Sequence, residues 1–256
     1  MGGQILMSEF PFSFAFITDP QIGINSRFGL HGPQSDVKRF EFAIDYVNEH
    51  DLDFVIFGGD QIHNRDSDEQ MDAFLECVAK IQVPCYGCVG NHEQYHPDEG
   101  PSLYLERGGP ERFTFTHKRC LFIGLNSSWL RGDFGEEYQR MEWDYLKAGF
   151  AQATDDLAHR FVVMHWPLFA VHPGEEDTYW NMPNRSEIVD CFKDNNVSCF
   201  LAGHWQQDID AAWKGIPLVC SVGTSLPLQY PEELSFKVVT VFEDGWSARR
   251  VSVEQF

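Results

Sequence analysis

Residues 53–64 read DFVIFGGDQIHN, and the rest of the chain is best read outward from them. The apolar run 54–57 is too short for a helix and reads as a buried strand. Gly58 and Gly59 stop it, and Asp60 follows. The same phrase recurs on both sides. Upstream, residues 12–18 (FSFAFIT) form a second apolar run, broken by Asp19-Pro20. Between the two, Val37, Phe40, Ala43, Ile44 and Val47 repeat at helical spacing over residues 35–49. Downstream, residues 68–81 read as another helix and 83–89 (VPCYGCV) as a third strand, stopped by Gly90. Three β-loop-α units in series imply parallel strands with helical crossovers.

The remainder changes character. Residues 113–116 and 120–125 read as paired strands around a turn at 117–119. A helix over 136–153, a strand over 161–164, a helix over 186–194 and a strand over 197–201 follow. Past Gly203 the chain is mostly β, with strands expected at 209–213, 217–221, 236–242 and 246–251. No linker, repeat or low-complexity tract interrupts it. The pattern describes one domain, residues 1–256, of two sheets with helices outside.

A chain of 256 residues can bury a core without disulfides or a structural metal. Its formal charge of -20 repels duplex nucleic acid and anionic membranes, so neither is an expected partner. A phosphorylated partner would have to be attracted locally, by metal. Seven cysteines lie in apolar segments with no framework spacing, which predicts reduced thiols and a cytoplasmic location. Cys85 and Cys88 form a C-x-x-C on a strand, where their side chains face opposite ways, and no second pair completes a zinc site. No apolar run reaches the ~20 residues of a membrane span. The opening MGGQIL lacks a signal-peptide pattern, and Leu6 stands where a myristoylation signal needs Ser or Thr.

Five loops that follow apolar runs carry metal-binding side chains. They hold Asp19 and Gln21 (TDPQ), Asp60 (GGDQIHN), Asn91 and His92 (GNHE), His165 (MHWP), and His204 and Gln206 (GHWQ). Taken singly, an Asp-Pro is a turn and a Gly-His is nothing. In α/β sheets, however, ligands collect beyond the carboxyl ends of the strands, so this ordered set is expected to converge. Carboxylate, amide oxygen and imidazole together suit divalent Mn, Fe or Zn. One carboxylate can bridge two ions about 3.5–4 Å apart, which clamp a phosphate and activate a water. The glycines before Asp60, Asn91 and His204 are expected to make sharp turns that aim the next side chain.

At these residues the chain resembles the calcineurin-like metallophosphoesterases, whose pattern is D-x-H, G-D, G-N-H-D/E, a lone H, then G-H-x-H. The DPQ opening, HWPLF and YWNMPN look most like the branch of calcineurin-like phosphoesterase domain-containing proteins, which in animals are described as protein Ser/Thr phosphatases. The resemblance implies a four-layer α/β/β/α sandwich of two mixed sheets flanked by helices. It implies two divalent ions, Mn, Fe, Zn or Mg, bridged by Asp60. Asn91, His165 and His204 would complete one site; Asp19, Gln21 and Gln206 would hold the other. A metal-activated hydroxide would be the nucleophile and His92 the general acid.

Three departures qualify the resemblance. Gln21 replaces the His of D-x-H, and Gln206 replaces the last His of G-H-x-H. Amide oxygen is a harder and weaker donor than imidazole, so the Asp19/Gln21/Gln206 site is expected to be weak or empty. His63 stands where phosphoprotein phosphatases carry an Asp that orients the catalytic His, so Asp66 or Glu93 is considered as its substitute. Asn91, His63 and Asn126 are candidate substrate contacts, although Asn126 could equally cap a turn. Arg65 and Arg131 are candidate phosphate clamps, and Tyr95, Tyr179 and Trp180 candidate pocket walls. His31, His96 and His172 read as surface residues. The expected activity is phosphomonoester hydrolysis, on phosphoprotein or a small metabolite. The alternatives are a nucleotide phosphodiesterase and a non-catalytic binding protein on a degenerate scaffold.

Overall fold

Alternation along the strands explains the architecture. In β1 (Phe12–Ile17), Phe12, Phe14 and Phe16 point to one side, Ala15 and Ile17 to the other. In β2 (Phe54–Phe57), Phe54 and Ile56 oppose Val55 and Phe57 in the same way. A strand apolar on both faces must be covered on both, so each sheet lies between a second sheet and a helical layer. The computed structural model describes residues 9–24, 35–94, 96, 102–225 and 233–253. MGGQIL, His31 and Tyr95 lie outside the described residues.

The first sheet runs β11-β10-β1-β2-β3, with β1, β2 and β3 (Cys85–Gly87) parallel, and β10 (Ser235–Phe242) and β11 (Gly245–Ser252) antiparallel at one edge. The second runs β4-β5-β6-β7-β9-β8. Its parallel centre is β5 (Cys120–Gly124), β6 (His159–Val163), β7 (Cys199–Ala202) and β9 (Ile216–Cys220). Antiparallel β4 (Phe113–His117) and β8 (Ile209–Trp213) close its two edges. Both sheets are mixed, as expected.

Between the sheets lies a layer rich in phenylalanine. Phe14 stacks on Phe54 at 4.9 Å, Phe115 on Phe122 at 4.9 Å and Phe122 on Phe161 at 5.0 Å. Each fully buried Phe contributes about 1.5–3 kcal/mol. Helices α1 (Ser35–Glu49) and α2 (Asp68–Val78) cover the first sheet through Phe40, Ile44, Met71 and Phe74. Helices α5 (Glu136–Phe150) and α6 (Arg185–Asp194) cover the second through Leu146, Ile188 and Phe192. The result is the α/β/β/α sandwich.

Two short helices were not expected, α3 (Leu103–Glu106) and α4 (Ser127–Arg131). Each is about one turn, too short for periodicity to reveal. The third strand is also shorter than its apolar run, since 83–84 and 88–89 lie outside β3. Cys85 is exposed and Cys88 buried, and all seven cysteines are free.

Candidate metal centre

The loops after β1, β2, β3, β6 and β7 meet at one end of the sandwich. Backbone bonds zip the first two together: Asp19 N–H donates to Gly59 O at 3.0 Å, Gln21 N–H to Asp60 O at 2.8 Å. His165 ties the sheets to each other by donating from Nδ1 to Gly58 O at 2.9 Å. That bond turns Nε2 toward Asn91 Oδ1 and Asp60 Oδ2, both at 3.2 Å. Ligands bound at about 2.0–2.2 Å to one ion stand roughly 3–3.5 Å apart, so these three atoms are spaced as ligands.

Asp60, His165 and His204 present donor atoms all within 4.8 Å of one another, and all three are buried. His204 Nε2 and Gln206 Oε1 are buried and have no hydrogen-bond partner among the described residues. Buried polar atoms are rarely left unpaired, so these two fit a role toward a cation. The backbone is also strained here. Asp19 (φ 51°), Gln21 (36°), Asp60 (53°), His204 (62°) and Gln206 (52°) occupy the left-handed region that non-glycine residues avoid. Such strain concentrates at functional sites.

The second half of the centre is arranged differently. Gln21 Nε2 donates to Asp60 Oδ2 at 3.1 Å, and Gln206 Nε2 donates to Asp19 Oδ1 at 3.2 Å and Gln21 Oε1 at 3.1 Å. Thr18 Oγ1 donates to Asp19 Oδ2 at 2.7 Å. Amide hydrogens thus supply part of the positive charge that Asp19 and Asp60 need.

Electrostatics follow the geometry. Burial would raise the Asp60 carboxyl, but His165, His92 and His204 around it hold it well below the carboxylate range. Burial pushes Asp19, beside Asp60, up to about 6. His165 is pushed up to about 9, the two aspartates overcoming burial, whereas burial and the His165 charge press His204 well below its usual value.

His92 is held from two directions. Its backbone N–H donates to Asp60 Oδ1 at 2.9 Å, and its Nδ1 donates to the backbone carbonyl of His63 at 2.7 Å. Nε2 therefore points inward, 3.8 Å from Asp60 Oδ2. Burial disfavours the imidazolium, but Asp60 and the His63 carbonyl outweigh it and raise the pKa. The orienting partner is main chain, so neither Asp66 nor Glu93 takes that role. Glu93 is instead a buried brace: Oε2 accepts from the N–H groups of Asp60 (3.0 Å) and Gly90 (2.8 Å), and Oε1 from Ile62 (3.1 Å). Its place directly after GNH was the only local signal of that work. Gly59 makes the sharp turn expected of it, at φ 97°. Gly90 does not; its value is space, because a Cβ there would lie 2.1 Å from Asp60 Oδ1.

A cleft of about 310 Å³ opens over these residues, lined by Asn91, His92, His63, His204 and Gln206 together with Trp166, Tyr179 and Trp180. His63 and Asn91 thus reach the cleft. Asn126 takes the capping alternative and not the substrate contact: its Oδ1 accepts from Trp129 N of α4 (3.3 Å) and from Gln94 Nε2 (2.8 Å), and its side chain is not part of the cleft lining. Arg131 is also committed elsewhere, donating to Thr178 O at 2.6 Å and Asn181 O at 3.2 Å. Arg65 donates to Gln94 O and borders a neighbouring groove shared with His92. His172 is exposed, as expected. Trp166 lies 3.7 Å from the His204 ring, and its place directly after His165 is the only local sign of that role.

Fold and site together define a hydrolase of phosphoesters that works with divalent metal ions. The calcineurin-like phosphoesterase family profile matches residues 12–208, and the chain belongs to that family. It is 24% identical over 242 residues to the serine/threonine-protein phosphatase CPPED1 of Bos taurus, covering 84% of this chain and 77% of the relative. It is 25% identical over 210 residues to the 3',5'-cyclic adenosine monophosphate phosphodiesterase CpdA of Escherichia coli K12, covering 78% and 70%. A dimetal phosphatase from Danio rerio shares the fold with TM-score 0.66 at 15% identity, covering 96% of this chain and 99% of the other.

Proposed function

We propose that this chain hydrolyses phosphomonoesters, of phosphoprotein or of a small metabolite, with His92 as general acid. The observation that carries the reading is the His92 ring: a main-chain carbonyl fixes Nδ1, Nε2 faces Asp60, and the charged form is favoured. An imidazolium so placed can hand its Nε2 proton to a departing alkoxide. Asp60, Asn91, His165 and His204 would hold one divalent ion, and Asp19, Gln21, Gln206 and Asp60 a second, weaker one. Ions there would supply Lewis acidity and an activated water. Asn91 and His63 line the cleft where the ester oxygens would lie.

A cytoplasmic location is inferred from the seven free thiols. No helix among the described residues is long and apolar enough to cross a membrane.

The likeness to CpdA favours a second reading, hydrolysis of a nucleotide phosphodiester. A screen of purified protein on mono- and diesters, with and without added Mn and paired with metal analysis, separates them. Turnover of monoesters supports the proposal, and preference for cyclic diesters moves the assignment to the second reading. Metal-loaded protein inert toward every ester would leave only a binding role.

A further inference from the structure

Aromatic rings beside the candidate metal ligands also line the cleft. Trp180 lies 5.4 Å from the His204 ring, and Tyr179 packs edge-on against Trp180 at 4.8 Å and 82°. Tyr179 is 67% exposed, an unusual place for a large ring. The loop that carries it is firmly braced. The Glu175 carboxylate accepts the N–H groups of Ala170 at 2.7 Å and Val171 at 2.9 Å, together with the Asn181 amide. Arg185 donates to Pro173 O at 2.9 Å and Asn181 Oδ1 at 3.1 Å, while Arg131 holds Thr178 and Asn181 from the other side. Three charged side chains therefore clamp the chain before and after Tyr179 and Trp180. Rings held in advance bind a partner ring with less ordering cost.

Charge and size narrow what fits. Among the described residues lining the cleft, Arg131 is the one Lys or Arg. Its donors go to the loop and to Asp133, and its guanidinium covers Trp166 at 4.1 Å. A second phosphate or an acidic flank finds little to bind it there. At about 310 Å³ the cleft is near the small end of the ~300–1,000 Å³ usual for small-molecule sites.

We propose that Tyr179 and Trp180 form a specificity subsite that stacks a flat aromatic group of the substrate, selecting phosphoesters that carry an aryl or heteroaryl ring over those that carry none. The placement of the phosphate rests on the phosphoester reading above; the ring subsite adds the rest of the substrate to it.

Binding of non-hydrolysable analogues to the Mn-supplemented protein, followed by calorimetry, tests this without turnover. One arm compares phenylphosphonate with methylphosphonate. The other compares the phosphonate analogue of adenosine monophosphate with that of ribose 5-phosphate. The ring-bearing member of a pair is expected to bind about 3- to 10-fold tighter. Tyr179→Ala, at an exposed position where folding is not at stake, should erase the preference and leave methylphosphonate binding unchanged. Preference in both arms means any flat ring is accepted; preference in the nucleoside arm alone narrows the subsite to heterocycles. Equal affinities within both pairs, or a preference that survives both Tyr179→Ala and Trp180→Ala, overturns the subsite. Failure of all four compounds to bind would sink the phosphoester reading, and the subsite with it.

Discussion

Replacing Gly90 with alanine would show what holds the central aspartate in place. A Cβ there would lie 2.1 Å from Asp60 Oδ1 and 2.4 Å from Asp60 N, where ordinary contact begins at 3.4 Å. Gly90 is not among the positive-φ glycines, so alanine meets no backbone penalty and the whole effect comes from that contact. Relief requires Asp60 and Gly90 to separate by about 1.3 Å. The Glu93 carboxylate resists, because it bonds the N–H groups of both residues. Overpacking of this kind costs the fold about 1–3 kcal/mol. Metal ligation tolerates displacements of only ~0.2 Å, so affinity should fall by at least ~10- to 100-fold. Calorimetric titration with Mn reads the affinity, and urea unfolding of the same variant reads the stability. A folded variant that binds Mn within about threefold of the parent would refute the argument that Gly90 exists to make room for Asp60.

His92→Ala should keep its metal and lose about 10²- to 10⁴-fold in turnover on alkyl phosphates, with a smaller loss on nitrophenyl phosphate, which needs little protonation; equal losses on both would make His92 a phosphate-positioning group. Gln206→His should raise metal content toward two ions per chain, because an imidazole replaces the amide that donates to Asp19; unchanged stoichiometry by elemental analysis would count against a weak second site. Burial pushes Glu142 up to about 7 despite Arg112 at 2.7 Å. Its folded pKa then exceeds the usual 4.5, so its contribution to stability is full at low pH and is lost as pH rises through 7. Relative to Glu142→Gln, the parent should lose roughly 1–3 kcal/mol between pH 4.5 and 7.5, read as diverging urea midpoints; parallel midpoints would refute it.

Most strand segments, and the loops that carry the candidate ligands, were legible in the chain before any coordinates. Phe12, Phe14 and Phe16 against Ala15 and Ile17 declare a strand covered on both faces, and a loop residue after such a strand can only emerge at its carboxyl end. Asp19, Asp60, Asn91, His165 and His204 follow from that rule, because period-two alternation and strand direction are local properties. Tertiary structure alone decided which atom of each side chain meets which partner. His63 could be placed beside His92, but only the folded chain shows that its main-chain carbonyl accepts from His92 Nδ1. Asn126 could be placed at a strand end, but its side chain went to α4 and Gln94. Gln206 meets Asp19 across 187 positions of sequence, and Arg131 meets Thr178 across 47. Contacts of that kind depend on how two sheets and their loops close on one another, and no periodicity in the chain encodes the direction in which an amide or a guanidinium will then find its partner.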